Sequence, residues 1–469
     1  MVLLGRKSRT INNLCMSHLI KTLSIDTNFS RFAPWLRRVT GYGLALAIAS
    51  LSALPAVAQT LSDQILSMER GLEQEFETYF GEDLAEVTQP PEDIALTLAR
   101  IGEETGTNPA VLWVIPKGDH LHLVLITSKG EPVVRDLYEV PDDVLRRVVT
   151  RFHLEIHSSP TLGSLRAAKQ LHEWIIEPLE ADYLQAEGID TILFCLGNGV
   201  RSLPLSALYD GEQFLLENYS STRIPAFNLI QAEYVDFQPG DILAMGASEF
   251  EELNPLPAVP TELETILQEL RVERSPQHQW DGHSFLNQEF TRYKLEQEIA
   301  SLQPNVVHLA THAVFRPGEP KESYIQFWDG KLGLNEMGGV NWGDSVLELL
   351  VLSACRTAIG DDRAELGFAG LALKSGVKSA LGSLWNVNDS ATLALMGEFY
   401  RQLGTAPTKA EALRQAQLKM LRGEIQIEGD RLLLSRGSVP LPPELTDEEI
   451  RDFSAPYYWA AFTMISSPW

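Results

Sequence analysis

The chain has 469 residues, a formal net charge of −25 and 44 % hydrophobic residues. That hydrophobic share excludes a disordered polypeptide, and so acidic a chain does not bind nucleic acid or anionic lipid through bulk electrostatics. The charge is uneven: residues 1–58 hold seven basic residues and one acid, which leaves 31 basic and 62 acidic residues beyond them.

Arg37-Arg38 precede an apolar stretch from Gly41 to Pro55, and Ala56-Val57-Ala58 follows. A basic flank, a short apolar core and an Ala-x-Ala site predict a secretory signal peptide over 1–58, cut after Ala58. The core falls short of the roughly 20 residues that a membrane span needs, so no stable span is expected after cleavage. An uncleaved anchor is the alternative. The expected location is periplasmic or secreted. Beyond Ala58 only Cys195 and Cys355 remain, which is no disulfide framework. Cys195 reads as a buried strand residue.

Residues 59–88 carry Leu61, Ile65, Leu66, Met68, Leu72 and Phe76 at helical spacing, which predicts an amphipathic helix. Gln89-Pro90-Pro91 ends it, so 59–91 forms a short helical segment and the main domain, 92–469, follows. Strands are expected at Val111–Ile115 and Leu121–Ile126, around a Lys-Gly-Asp turn. Helices follow from about Asp142 and over 164–186, then a strand at Thr191–Leu196 with Gly197-Asn198-Gly199 turning the chain. A strand at 241–246, a helix from Pro260 and another over about 288–302 come next. Later elements are a helical Gly367–Gly376, a strand Ser379–Leu384 and helices over 390–403 and 408–421. Strands alternating with helices predict an α/β sheet covered on both faces. The length is generous for one domain, which suggests an N-terminal accessory lobe.

Two apolar runs end in chemistry-bearing residues. Val306–His312 ends in an imidazole, and Leu349–Thr357 contains Cys355, 43 residues further on. Both read as buried strands of a parallel sheet. Sites in such sheets form at the carboxyl ends of strands. A thiol and an imidazole brought to one edge are the parts of a cysteine nucleophile system. His308 and His312 are four apart, but zinc ligands at that spacing need a helix, and no neighbouring Glu completes a His-Glu-x-x-His motif. No metal is expected at this pair, and His308 reads as a buried structural residue, bonded to backbone. A nucleotide-binding reading lacks its loop, since Gly367-Phe-Ala-Gly370 has neither Gly-x-Gly-x-x-Gly spacing nor a Gly-Lys-Ser/Thr continuation. No cofactor is expected.

The segment His308-Leu-Ala-Thr-His312 with Ser353-Ala-Cys355-Arg-Thr357 resembles the CHAT domain, a branch of the caspase and separase cysteine peptidases. Further stretches agree in order: Leu203–Leu208, Ser383–Thr392 and Pro456–Phe462. The resemblance implies a caspase-like three-layer α/β/α sandwich with a mostly parallel central sheet, preceded here by the short N-terminal helical segment. It implies a cysteine peptidase in which Cys355 attacks a peptide carbonyl, His312 protonates the leaving amine, and water hydrolyses the thioester that remains. Backbone N–H groups of Ala313 and Cys355 would hold the oxyanion. Where the family places Gly after the His, this chain has Ala313, which keeps the N–H but resists φ > 0. Asp389 lies in a segment that borders the pocket in separases, so it is a candidate for favouring a basic residue before the cut; its plainer role is a helix N-cap. The expected partners are a protein or peptide substrate and an unidentified activator, with no nucleic acid. The rival readings are a non-catalytic scaffold or interaction module of the same fold, and an acyltransferase or non-peptide hydrolase using the same dyad.

Overall fold

The computed structural model describes residues 61–469, except 85–87, 159–164, 235–239, 272–279, 343–346, 358 and 447–451; at 158, 271 and 354–357 it describes the backbone alone. The expected signal peptide lies outside the described residues.

Among the described residues, thirteen strands join in one sheet. The first half of the chain supplies β1 (Pro109–Lys117), β2 (His120–Ile126), β3 (Val133–Leu137), β4 (Thr191–Leu196) and β5 (Ser220–Ile224). The second supplies β6 (Asp241–Gly246), β7 (Asp281–Leu286), β8 (Val306–Phe315), β9 (Tyr324–Phe327), β10 (Gly330–Gly333), β11 (Leu349–Thr357) and β12 (Ser379–Ser383). A separate three-stranded sheet holds β13 (Gln426–Glu428), β14 (Arg431–Leu433) and β15 (Ser438–Pro440), after which β16 (Phe462–Ser466) returns to the main sheet.

Two blocks of parallel strands run in opposite directions. One is β7-β6-β8-β11-β12 and the other β16-β5-β4-β1. They meet at the antiparallel pair β12–β16. Antiparallel neighbours extend each side, β2 and β3 beyond β1, and β9 and β10 beyond the end of β8. Residues Thr60–Trp469 form one compact unit, so the length that suggested an accessory lobe goes into a second block of the same sheet.

Burial explains the layering. Ala110 to Val114 of β1 and Ile192 to Cys195 of β4 are all fully buried, which happens only when both faces of a sheet are covered. The covering helices include α1 (61–80), α2 (Pro91–Thr105), α3 (Asp142–Ser158), α4 (Arg166–Ile175) and α5 (Val259–Arg271). Later ones are α6 (Arg292–Leu302), α7 (Asp362–Ala369), α8 (Leu371–Ser375), α9 (Asp389–Leu403) and α10 (Lys409–Leu421). Helix α9 packs between α5 and α10 and is buried continuously from Ser390 to Tyr400, as an internal helix must be.

Helix α1 is fastened to the sheet by one carboxylate. Glu69 is fully buried and accepts bonds from Trp113 Nε1 (2.6 Å), the backbone N–H groups of Phe227 (3.2 Å) and Asn228 (3.0 Å), and Asn228 Nδ2 (3.1 Å). A buried charge persists only with such a set of donors. The next turns of α1 press Phe76 and Phe80 onto Gly370, where a Cβ would stand 2.8 Å from the Phe80 ring. The short segment expected before the domain is thus packed into its core.

The expected strands form within a few residues. The expected helices form too, but the first ends at residue 80, short of the expected 88, where Gly81 takes a positive φ, and the helical Gly367–Gly376 is the end of α7 followed by α8. Helix α2 and strands β3, β5, β7, β9, β10 and β13–β15 were not foreseen. β7, for instance, reads Asp-Gly-His-Ser-Phe-Leu and is nowhere fully buried; its pairing with β6, not its own pattern, makes it a strand.

Candidate active site

Strand β8 is irregular where it matters. Leu352 pairs with Leu309, but Ala354 pairs with His312 and Cys355 with Ala313. Ala310 and Thr311 therefore oppose the single residue Ser353, a β-bulge with the extra residue on β8. Without it, the 43-residue offset would set His312 directly across from Cys355. The bulge moves them one position apart, so their Cα atoms lie on a diagonal of roughly 6 Å, from the strand spacing and rise. The end of β6 makes room: a Cβ on Gly246 would stand 2.5 Å from the Ala310 carbonyl oxygen, so a close backbone approach requires glycine there. Ala247 N–H then donates to that carbonyl at 3.1 Å.

His312 is half-buried at the carboxyl end of β8. Its Nε2 lies 2.8 Å from the Asn254 carbonyl oxygen, which only accepts, so the proton sits on Nε2. Nδ1 is left with a lone pair, the state of a base. The Phe250 ring lies 4.7 Å from the imidazole, centroid to centroid. Burial lowers the His312 pKa, partly offset by the Asn254 bond, which favours the neutral ring. A nucleophile–base pair oriented by a third group has this form.

The Cys355 backbone belongs to β11, while its side chain lies outside the described residues, as does that of Arg356. Ala313 is buried and paired on both edges, with Cys355 on β11 and Ile325 on β9. Its backbone is extended, and among the described non-glycine residues only Asn287, Gln303 and Ser466 have positive φ. Alanine therefore fits this position without strain.

The segment after Cys355 is held down. Gly360 N–H donates to Glu365 Oε1 at 2.8 Å, and Asp361 caps α7 by accepting from Arg363 N (3.1 Å) and Ala364 N (3.0 Å). Arg363 reaches Glu319 at 2.7 Å and Arg146 reaches Asp362 at 3.4 Å. Glu365 is only 3 % exposed; burial raises its pKa, against hydrogen bonds from Ser202 and Gly360 and the nearby Arg201 charge. Ser202 also lies 3.3 Å from His153 Nε2. Burial, with help from the His157 and Arg223 charges, drives the His153 pKa down to about 3. These links join the post-Cys355 loop to the Leu203–Leu208 stretch, whose Leu203 carbonyl accepts from the buried Arg223 at 2.9 Å.

Two expectations are corrected by partners. His308 is fully buried, but its bonds go to side chains rather than backbone: Nε2 to Glu262 Oε1 and Nδ1 to Tyr400 Oη, both 3.0 Å. The N-cap of α9 is Asn388, whose side chain accepts from Ala391 N at 3.0 Å; Asp389 is the first helical residue, half-buried, at the carboxyl end of β12. A cavity of about 790 Å³ opens beside Phe250, lined by Glu249, Glu251, Glu252, Arg316, Trp328 and Lys331 among others, and Asp389 is not part of its wall. Reasoning from sequence missed Asn254, since any residue can lend a carbonyl. The run Glu249–Glu252 after a strand was a visible signal for an acidic rim.

Cys195 is a different kind of thiol. It is fully buried, donates to the Pro225 carbonyl at 3.3 Å, and burial raises its pKa well above the ordinary thiol range. Four strand steps separate β4 from β11, about 19 Å, which no disulfide spans.

Curated proteins give no match. Among solved structures, Saccharomyces cerevisiae separase in complex with securin is similar at 10 % identity and a TM-score of 0.46, covering 82 % of this chain and 32 % of its own. This chain thus spans about a third of the length of that protein. The Arg-specific cysteine proteinase gingipain R is similar at 10 % identity and a TM-score of 0.38, covering 66 % of this chain and 68 % of its own. The complex of Porphyromonas gingivalis RgpB pro- and mature domains gives 10 % identity and a TM-score of 0.39, covering 76 % and 78 %. The CHAT domain family matches residues 165–467, well over half of the chain, and spans both His312 and Cys355. The chain belongs to the CHAT domain family.

Proposed function

We propose that this protein is an exported cysteine endopeptidase with a His312–Cys355 dyad. The observation that carries the reading is the tautomer of His312. The Asn254 carbonyl holds the proton on Nε2, which leaves Nδ1 with the lone pair of a base, on a strand whose neighbour carries Cys355 one register position away. The thiolate formed on proton transfer attacks the scissile carbonyl, and the imidazolium returns its proton to the leaving amine. Water then cleaves the thioester. The backbone N–H groups of Cys355 and Ala313 are the oxyanion donors in this scheme. The cavity wall sets Glu249, Glu251, Glu252 and Asp329 against Arg316 and Lys331, a net acidic lining that favours a basic side chain, and Asp389 offers a further carboxylate at the same end of the sheet. The substrate is a protein or peptide. Export rests on the basic flank, apolar core and Ala56-Val57-Ala58 of the leader.

One observation favours a second reading, a latent or scaffold form of the same fold. Ala313 is paired on both edges, and backbone groups inside a ladder are committed to it. An activating partner would then have to loosen β9 or β11.

Iodoacetamide labelling at pH 6, with reductant present, tests the dyad. An ordinary thiol is almost wholly protonated there. Fast modification of Cys355, slowed about 100-fold in His312→Ala, supports the peptidase. Equal, slow labelling in both proteins sinks the competent dyad and leaves the scaffold.

A further inference from the structure

The opposite edge of the sheet carries a second cluster of chemistry-bearing side chains. His120 and His122 lie two apart on β2 and so share one face, and β3 pairs Asp136 across from His122. The three residues each offer a donor atom, all within 4.8 Å of one another. His122 Nδ1 is 2.6 Å and His120 Nε2 3.3 Å from the same oxygen, Asp136 Oδ1. We infer that His120, His122 and Asp136 form a binding site for a divalent transition-metal ion of the zinc class.

The donor set has the composition of a two-histidine, one-carboxylate triad, which leaves coordination positions open. Imidazole donors disfavour calcium and magnesium, which take oxygen ligands. A metal–ligand bond of about 2.1 Å at a tetrahedral angle separates two donors by about 3.4 Å. The His120–Asp136 separation already has that value, and the His122–Asp136 contact has to open by less than an ångström.

The orienting carboxylate is also present. His120 Nδ1 lies 2.8 Å from Asp119 Oδ1, which fixes the proton on Nδ1 and presents Nε2 to the cluster. The side chains of His120 and His122 are 17 % and 23 % exposed, so the donors are sheltered yet reachable. The open positions face a cavity of about 700 Å³ between this hairpin and α1, with Gln64, Glu75, Lys117 and Asn198 in its wall. That volume admits water or a small ligand beside the ion. Six strand steps, roughly 29 Å, separate β2 from β11, so the ion takes no part in chemistry at Cys355.

The test is a Zn²⁺ titration of the tag-free full chain against a chromophoric chelator at pH 7.5. It is repeated in the Cys15→Ser/Cys355→Ser double variant, which leaves only the buried Cys195 as a thiol. One equivalent bound by both proteins is expected, with X-ray absorption distances of about 2.0–2.1 Å from nitrogen and oxygen donors only. His122→Asn and Asp136→Asn each lose about 100-fold in affinity, and Asp119→Asn about 10-fold. Circular dichroism and melting curves confirm that each variant is folded, and His120→Asn replaces any that is not. Failure of the wild type to hold zinc at micromolar concentration overturns the site. So does affinity unchanged in the folded variants.

Discussion

The two parallel blocks of the sheet each carry one cysteine, and they treat it in opposite ways. In the block built around β4, every residue of β4 is buried and Cys195 donates its S–H to a carbonyl. In the block built around β8 and β11, a bulge breaks the ladder just before His312, and Cys355 lies past that break. The same residue type on the same kind of strand becomes packing material in one place and a candidate nucleophile in the other. What differs is position along the strand: a thiol amid the packed layers is desolvated, whereas one at the carboxyl edge meets loops that bring polar groups.

The sharpest way to break this comparison is to swap the chemistry out. In a peptidase assay, Cys355→Ala abolishes turnover and His312→Ala lowers it by about 10³-fold, whereas Cys195→Ala leaves kcat unchanged. Loss of activity on changing Cys195 alone, in a folded protein, would overturn the distinction between the blocks.

The second test concerns the support beneath the His312 strand. Glu262→Ala strands the fully buried His308 without its carboxylate, and a loss of about 3 kcal/mol in urea unfolding is expected. A loss below about 1 kcal/mol means that Tyr400 or water satisfies the ring alone.

Acid adds a third. His153 resists protonation down to about pH 3 when folded, whereas an unfolded imidazole takes its proton near pH 6.5. Its folded pKa is depressed, so the unfolded state binds more protons as pH falls. Its contribution is fully present above pH 6.5 and declines progressively as pH falls from there toward 3. Melting curves across that window should fall more steeply for the wild type than for His153→Gln; parallel slopes would discount the buried histidine.

The smallest effect separates two neighbours. Asn388→Ala removes the α9 cap and costs about 1 kcal/mol, with cleavage preference unchanged. Asp389→Ala leaves the cap in place, so weakened preference for a basic residue before the cut would assign it to the pocket. If triple substitution of Glu249, Glu251 and Glu252 shifts preference instead, the acidic rim sets specificity.

Much of the architecture was written locally. Apolar runs marked β1, β2, β4, β6, β8, β11 and β12, and the spacing of Leu72 and Phe76 marked α1, because burial on one or both faces leaves a periodic trace. The motif residues around His312 and Cys355 were equally legible. The remainder required partners distant in sequence. The bulge in β8 shows only in its register with β11 and lies against Gly246 of β6, both distant in sequence. Glu69 reads as one more acid on a polar helix face until Trp113, Phe227 and Asn228 surround it. The base-fixing carbonyl of Asn254 has no side-chain signature, and His120, His122 and Asp136 converge only through the β2–β3 register. Sequence determined the strongly patterned strands and helices and which side chains can do chemistry, since those follow from local pattern. Tertiary structure decided which of them meet, because a hydrogen bond or a strand register is a relation between segments that neither encodes alone.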